Sequence, residues 1–247
     1  MKIALVTGGS RGIGRATAIL LAQMGWRVAV NYARRTDAAL EVVDLIEQQG
    51  GSAFALQADI ADEAQVMAMF ADIDRQPGQL TALVNNAGIL FQQATLEQLT
   101  AERINRVFAT NVTGSFLCCR EAVKRMGHHH GGSGGAIVNV SSAAARTGAP
   151  GEYVDYAASK GAMDTLTKGL SLEVAAQGIR VNGVRPGFIY TDMHADGGEP
   201  QRVDRLAPGI PMQRGGQPEE IARAIAWLLS DEASYITGTY IDAAGGR

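Results

Sequence analysis

Lys2-Ile3-Ala4-Leu5-Val6-Thr7-Gly8-Gly9-Ser10-Arg11-Gly12-Ile13-Gly14, near the start of the chain, carries the pattern strand, glycine turn, helix. The run from Ile3 to Val6 is apolar without polar alternation, the pattern of a strand buried on both faces. A glycine-rich turn follows, and the segment from Ile13 to Met24 has helical spacing. Glycines let the backbone turn tightly and approach a phosphate, while the helix N-terminus offers free N–H groups and a favourable dipole. Glycine is also the default residue of any tight turn. The order strand, glycines, helix at the start of a βαβ unit is what makes a dinucleotide site credible.

Outward from this stretch, short β-rich runs alternate with helical patterns over almost the whole length. Strands are expected at Ile3–Val6, Val28–Asn31, Ala53–Leu56, Leu83–Val84, Ala136–Val140, Ile179–Asn182 and Tyr235–Ile241. Helices are expected through Leu40, Val43 and Ile46, around Val66 to Ile73, from about Ala101 to Met126, and from Tyr156 to Ala176. The fold class is therefore α/β: a single doubly wound, Rossmann-like domain over residues 1–247. Its central parallel sheet has about seven strands, with helices on both faces. Two stretches break the pattern. Gly127 to Gly135 carries three adjacent His among glycines. Adjacent side chains point in different directions and no Cys or carboxylate lies beside them, so it reads as a solvated loop, not a metal site. Phe188 to Gln217, rich in Gly, Pro and charge, reads as a lid or binding loop, a substrate loop over about 188–217.

At 247 residues the chain is long enough for one α/β domain with a large core. Its 22 Lys and Arg against 25 Asp and Glu give a formal net charge of −3, which suggests no surface for nucleic acid. No apolar run is long enough to span a bilayer, and a strand rather than a signal peptide comes first. Cys118 and Cys119 are adjacent in a helical pattern, suited to packing in a reducing compartment rather than to bridging each other. These features read as a cytoplasmic protein whose partner is neither nucleic acid nor membrane.

Tyr156 and Lys160 lie four apart in Asp155-Tyr156-Ala157-Ala158-Ser159-Lys160-Gly161, on one face of a helix. A cation beside a phenol favours the phenolate and lowers a pKa that is ordinarily about 10. Such a Tyr can exchange a proton with an alcohol or carbonyl oxygen near neutral pH. Alone, the pair also fits a solvated helix face.

Together these motifs resemble the short-chain dehydrogenase/reductase family, over nearly all of the chain. The landmarks occur in order: Thr7 to Gly14 with the spacing Thr-Gly-x3-Gly-x-Gly, Asp59, Asn85-Asn86-Ala87-Gly88, Asn111, Ser142, Tyr156 with Lys160, and Arg185-Pro186-Gly187 with Thr191. The resemblance implies an NAD(P)-dependent enzyme that interconverts an alcohol and a carbonyl by hydride transfer. It implies a catalytic set of Asn111, Ser142, Tyr156 and Lys160. Tyr156 would be the general acid in reduction and the general base in oxidation. Lys160 would lower the Tyr156 pKa and hydrogen-bond the nicotinamide ribose, Ser142 would polarise the substrate oxygen, and Asn111 would position a water linking Lys160 to solvent. Cofactor contacts would come from Gly8, Ser10, Arg11, Gly12, Ile13 and Gly14 in the turn and from Tyr32 and Arg34 after the second strand. Further contacts would come from Asp59 at the adenine amino group, Ile60, Asn85, Ala87 and Gly88 in the trough, Tyr156 and Lys160 themselves, and Pro186, Gly187, Ile189 and Thr191.

One departure concerns spacing. Ser142 precedes Tyr156 by fourteen residues, where the family usually has thirteen. The extra residue is expected near Gly148-Ala149-Pro150-Gly151-Glu152. Ser141 is the fallback for Ser142, though strand alternation puts it on the opposite face.

The second strand ends Val30-Asn31-Tyr32-Ala33-Arg34-Arg35, with no acid to accept ribose hydroxyls and repel a 2′-phosphate. Arg11 and Arg34 could together pair with that phosphate. Both also fit ordinary surface charges, and for Arg35 that is the better reading. NADP(H) is the expected cofactor, with NAD(H) as the alternative. Two family branches compete for the substrate. Glucose dehydrogenases resemble the chain in Val30-Asn31-Tyr32, in Tyr156 to Gly161 and in Ile210-Pro211-Met212. The 3-oxoacyl carrier-protein reductases usually dock an acidic carrier on two Arg. The corresponding positions, near Ser133 and at Gln177, are not basic, although Lys124 and Arg125 lie close by. Substrate-facing residues are sought in Phe188, Tyr190, Met193 and His194, and opposite them in Glu152, Tyr153 and Val154. A cofactor-binding regulator without turnover would keep the glycines and break the tetrad, whereas all four residues are present. The resemblance also implies a homotetramer, built through the two long helices and the last strand, acting on a small-molecule alcohol or carbonyl.

Overall fold

Period-two alternation in the first strand sends Ala4 and Val6 into one apolar cluster and Ile3 and Leu5 into another. The computed structural model describes residues 1–247. Its elements are β1 (Lys2–Val6), α1 (Gly12–Gln23), β2 (Arg27–Tyr32), α2 (Thr36–Gln48), β3 (Ser52–Gln57), α3 (Glu63–Asp74) and β4 (Gln79–Asn85). Then come α4 (Ala101–Phe108), α5 (Gly114–Met126), β5 (Gly135–Val140), α6 (Ala144–Thr147), α7 (Val154–Val174) and β6 (Ile179–Pro186). The chain ends with α8 (Met193–Asp196), α9 (Arg202–Leu206), α10 (Pro218–Leu229) and β7 (Tyr240–Ala243).

All seven strands pair in parallel in the order β3-β2-β1-β4-β5-β6-β7. One face carries α1, α2 and α10, which bring Leu21, Val42, Ile46, Ile221 and Ile225 against Ala4, Val6, Val28 and Val30. The other carries α3, α5 and α7, with Val66, Phe70, Cys118, Ala122 and Met163 against Ile3, Leu5, Leu83 and Ile137. The clusters hold 24 and 22 buried residues, so neither sheet face is left to solvent. This is the arrangement that unalternating apolar strands require, and it is the doubly wound α/β fold expected from the sequence. Strand order reverses between β1 and β4, and the crevice beyond their C-terminal ends is where such sheets bind ligands.

The structure corrects the sequence reading in three places. The expected strand Tyr235–Ile241 shrinks to Tyr240–Ala243. Gly238 turns the chain at φ +70°, and β6 side chains take up the loop backbone: Asn182 accepts the Thr239 N–H (3.2 Å) and donates to Ile236 O (2.9 Å). The expected helix from Ala101 to Met126 is interrupted by a π-helical turn at Ala109–Thr113. The stretch 188–217, read as irregular, contains α8 and α9, and beyond it lies α10, to which the sequence reading assigns nothing. The start of α10 was signalled by Gln217-Pro218-Glu219-Glu220: Gln217 and Glu220 form a reciprocal capping box with Pro218 in the first turn.

The His loop is a single 3-10 turn, His128–His130, with the His128 ring over Gly178; a Cβ there would lie 2.4 Å from it. Cys118 and Cys119 are buried and unbridged. No helix is long and apolar enough to cross a membrane.

Candidate active site and cofactor cleft

The glycine turn is pinned from both neighbouring strands. The Thr7 hydroxyl donates to Val84 O (3.2 Å) and accepts the backbone N–H groups of Asn86 and Ala87 (3.0 Å each). The Asn86 amide donates to Thr7 O (2.9 Å) and Gly8 O (3.1 Å). On the other side, Asn31 accepts the Gly8 N–H (3.2 Å) and donates to Leu56 O and Ala58 O past the end of β3. Gly8 and Gly12 have φ of +62° and +50°, which glycine adopts without strain. Gly14 is required for closeness: a Cβ there would stand 2.3 Å from Gly8 O. Arg11, at the N-cap of α1, makes no capping bond, and the first turn carries no acid. The positive end of the helix and its free N–H groups therefore meet the cleft uncompensated, a cradle that fits the pyrophosphate of a dinucleotide.

The cleft has a volume of about 610 Å³. Of the expected contacts, Gly8, Ser10, Arg11, Gly12, Ile13, Tyr32, Arg34, Asp59, Ile60, Ala87, Gly88 and Thr191 line it. Four arginines and three acids share its wall. Arg11 pairs with Asp196 (2.6 Å), Arg35 with Asp192 (3.8 Å) and Arg106 with Asp59 (3.4 Å), while Arg34 alone forms no ion pair. Arg35, read from sequence as a plain surface charge, is thus a wall residue. Phe91, Arg106, Asp192 and Asp196 belong to the wall and escape the sequence reading, because loops and helix ends carry no periodicity that says which side faces a cleft.

Seven expected contacts lie outside the lining: Tyr156 and Lys160, described below, and five others. Asn85 is buried beneath it, donating to Asn139 Oδ1 (2.9 Å) and Cys119 Sγ (3.1 Å), with Asn139 donating on to Thr167 Oγ1 (2.8 Å). Asn85 is thus the first member of a polar chain inside the core. Gly14 stands behind the turn. Ile189 belongs to the core, Gly187 is pressed against Ala244, and the Pro186 carbonyl accepts the Ala143 N–H (2.9 Å).

None of the four expected catalytic residues is in the lining; Asn111 and Lys160 stand directly behind the wall at Gly88, and Tyr156 lies beside Lys160. Ser141, buried, donates its Oγ–H to Lys160 O (3.2 Å), so its hydroxyl is turned to the backbone of α7. Ser142, half-buried, accepts the Ala144 N–H on its Oγ (3.1 Å). The extra residue between Ser142 and Tyr156 is taken up in an outward turn, where Gly148, Ala149 and Gly151 all have positive φ (75°, 45° and 73°). Tyr156 and Lys160 are buried on one side of α7. Lys160 Nζ donates to Val140 O (2.8 Å) and lies 5.5 Å from the Tyr156 ring centroid. Burial pushes the Tyr156 phenol up to about 12, opposed by the Ser142 hydroxyl, and pulls Lys160 down to about 8. The sequence reading expects the ammonium to lower the phenol. In this structure withdrawal from water is the largest influence on the phenol, and the Ser142 hydroxyl is what opposes it.

Asn111 occupies the π-helical turn, a feature common at functional sites. Its Oδ1 accepts the Ile89 N–H (2.8 Å), and its Nδ2 donates to Ile89 O and Ser159 Oγ (3.0 Å each). It therefore ties the loop after β4 to the helix bearing Tyr156. A Cβ on Gly88 would lie 3.4 Å from Asn111 Oδ1 and 3.5 Å from Lys160 Nζ, so the cleft wall borders both residues directly.

The segment above the site is clasped by ions. Arg202, almost fully buried, pairs with Glu152 and Glu199; Glu199 also holds Arg205 and accepts from Gln93 (2.8 Å). Tyr153 donates to Gly197 O (3.2 Å), Tyr190 to Asp204 (2.7 Å), and His194 meets Ile189 O (3.0 Å). Phe188 packs beneath Arg202 and Arg247. Of the four substrate-facing candidates on this segment, Met193 lines the cleft.

A doubly wound sheet with a glycine cradle at its switch point, and a Ser-Tyr-Lys cluster beside the cleft, is the arrangement expected of a nicotinamide-dependent oxidoreductase. The chain belongs to the short-chain dehydrogenase/reductase family. A family model described as "Enoyl-(Acyl carrier protein) reductase" matches residues 8–247. The chain is 74% identical to the uncharacterized oxidoreductase YgfF of Escherichia coli over the full length of both. It is 42% identical to the 3-oxoacyl-[acyl-carrier-protein] reductase FabG of Staphylococcus aureus, over 99% of this chain and 97% of that protein. It is 39% identical, over 99% and 97%, to an uncharacterized oxidoreductase of Methylorubrum extorquens.

Proposed function

We propose that the chain is an NADP(H)-dependent oxidoreductase that interconverts an alcohol and a carbonyl, with Tyr156 as general acid and base. The observation that carries this reading is the buried Tyr156 and Lys160 beside Ser142, with Lys160 directly behind the Gly88 wall of a cleft that also holds the glycine cradle. The nicotinamide, when bound, supplies or accepts the hydride. Ser142 Oγ orients the substrate oxygen. Tyr156 delivers its phenolic proton to that oxygen in reduction and takes it back in oxidation. A phenol raised by burial keeps its proton at neutral pH and is ready to donate it. Lys160 gives one N–H to Val140 O and has two left for the cofactor ribose and the phenol. Asn111 holds Ile89 and Ser159 in place, which fixes the wall against which these groups work.

The cofactor choice rests on Arg34, the one unpaired cation of the cleft, with Arg11 in the same wall and no acid at the end of β2. A glucose 1-dehydrogenase or a 3-oxoacyl carrier-protein reductase is the alternative within the same chemistry. The second is favoured by the relative carrying that name, and it is opposed by the absence of free cations where a carrier would dock. Ser133 donates to Gln79 (3.0 Å), Gln177 packs on Gly127, and Lys124 and Arg125 are held by Glu121 and Asp74. A cofactor-binding regulator without turnover is the non-enzymatic alternative. The reading also takes residues 1–247 as one domain with a substrate loop at about 188–217, acting in the cytoplasm as a homotetramer.

The test is turnover with NADP(H) and NAD(H) against a panel of sugars, ketones, ketoesters and acyl thioesters. Tyr156→Phe is expected to leave cofactor binding nearly intact and to lower turnover by about 100-fold or more. Equal loss of binding and turnover would remove Tyr156 from the chemistry.

A further inference from the structure

We infer that Asp196 is a positioning residue that couples the substrate loop to the cofactor's 2′-phosphate: it holds Arg11 in the free protein, and the phosphate takes that guanidinium from it. This rests on the NADP(H) reading above. Arg11 Nη2 and Asp196 Oδ2 are 2.6 Å apart, and the bond joins the glycine turn to the substrate loop across 185 residues of sequence. Both residues line the cleft, and α8 is held at one end to the glycine turn and at the other to the segment after β2. Asp196 closes α8 on Arg11, and Asp192, just before α8, reaches Arg35 at 3.8 Å.

A 2′-phosphate brings about 1.5 to 2 negative charges. Arg34 is the only cleft arginine without a carboxylate, and one guanidinium does not balance that charge. Arg11 is the nearest further donor in the turn, and a bidentate guanidinium–phosphate pair is stronger than a single carboxylate contact. Phosphate and Asp196 on one guanidinium would also repel each other. The carboxylate therefore gives way, and α8 is released along with Met193, which faces the cleft. The loop that covers the substrate thus responds to which dinucleotide is bound.

The experiment uses the full chain and two probes, 2′,5′-ADP, which carries the phosphate, and 5′-AMP, which lacks it, titrated by calorimetry. Wild type is expected to bind 2′,5′-ADP more tightly. Equal affinity overturns the NADP(H) reading itself. Given that preference, Asp196→Asn is expected to tighten 2′,5′-ADP by about threefold, the scale of one partly exposed ion pair, and to leave 5′-AMP unchanged. Asp196→Glu, which restores the carboxylate, should return wild-type affinity. Amide exchange over residues 193–198 should quicken with 2′,5′-ADP but not with 5′-AMP in wild type, and should already be fast in Asp196→Asn. Unchanged or weaker 2′,5′-ADP binding in Asp196→Asn, or equal loss for both probes, overturns the coupling.

Discussion

Lys160 carries its charge where the surroundings favour the neutral amine. Its folded pKa of about 8 lies below the ordinary lysine value, so below about pH 8 the folded state bears the full cost of a buried cation. Between that point and the unfolded value the unfolded chain binds more protons, and stability rises with pH as the cost is relieved. Lys160→Met should therefore abolish turnover yet raise stability at pH 7, by on the order of 2 kcal/mol. The gain should shrink steadily toward pH 10, and melting curves across that range read both features. A constant gain would mean that packing, not charge, makes the difference. Tyr156 behaves in the opposite sense. Its raised pKa means that the phenolate needed for alcohol oxidation becomes more available with rising pH, so oxidation should climb through the alkaline range while carbonyl reduction does not.

The glycines of α1 and α7 show how the same residue does opposite work in different elements. A Cβ at Gly14 would meet backbone, Gly8 O at 2.3 Å, and the Asn86 amide at 2.5 Å, and neither can retreat without undoing the turn. Gly14→Ala should cost about 3 kcal/mol and weaken cofactor binding in parallel. At Gly169, exposed within α7, nothing lies within 4 Å of the added methyl, and Gly169→Ala should stabilise by about 1 kcal/mol through helix propensity alone. Melting of the two variants checks both signs.

The elements were legible in proportion to how far their sequences report local geometry. Doubly buried strands announce themselves as apolar runs, and the glycine turn by its spacing. The π-helical turn at Asn111 was not legible, since a shift from i→i+4 to i→i+5 bonding is imposed by what packs around the helix. Asn85 misled because the tetrapeptide Asn85-Asn86-Ala87-Gly88 reads as one unit, whereas β4 ends inside it. Asn85 stays in the core while Ala87 and Gly88 reach the cleft. The partners of Arg11 and Arg106 lie 185 and 47 residues away, and no local pattern marks them.

At the scale of the molecule, large apolar side chains stand out of the helices expected to carry the homotetramer. Phe116 on α5 is 50% exposed and Leu172 on α7 is 69% exposed. Phe116→Glu with Leu172→Glu should convert a tetramer into smaller species by light scattering, while circular dichroism of the dissociated chain stays that of the fold. A wild-type chain that scatters as a monomer would dispose of the tetramer.

The buried chain Asn85–Asn139–Thr167 has a consequence for how the sheet assembles. It links β4, β5 and α7 through two directional contacts between apolar strands. Apolar residues tolerate a neighbour of similar size, so a parallel strand of Val, Ile and Leu has little to tell one alignment from another. Slip β5 by a single position and Asn139 changes faces, leaving amides on both sides stranded at about 1–3 kcal/mol each. Parallel strands meet late, across long stretches of chain. Three polar side chains thus act as a checksum on strand pairing, satisfied together in the native alignment alone.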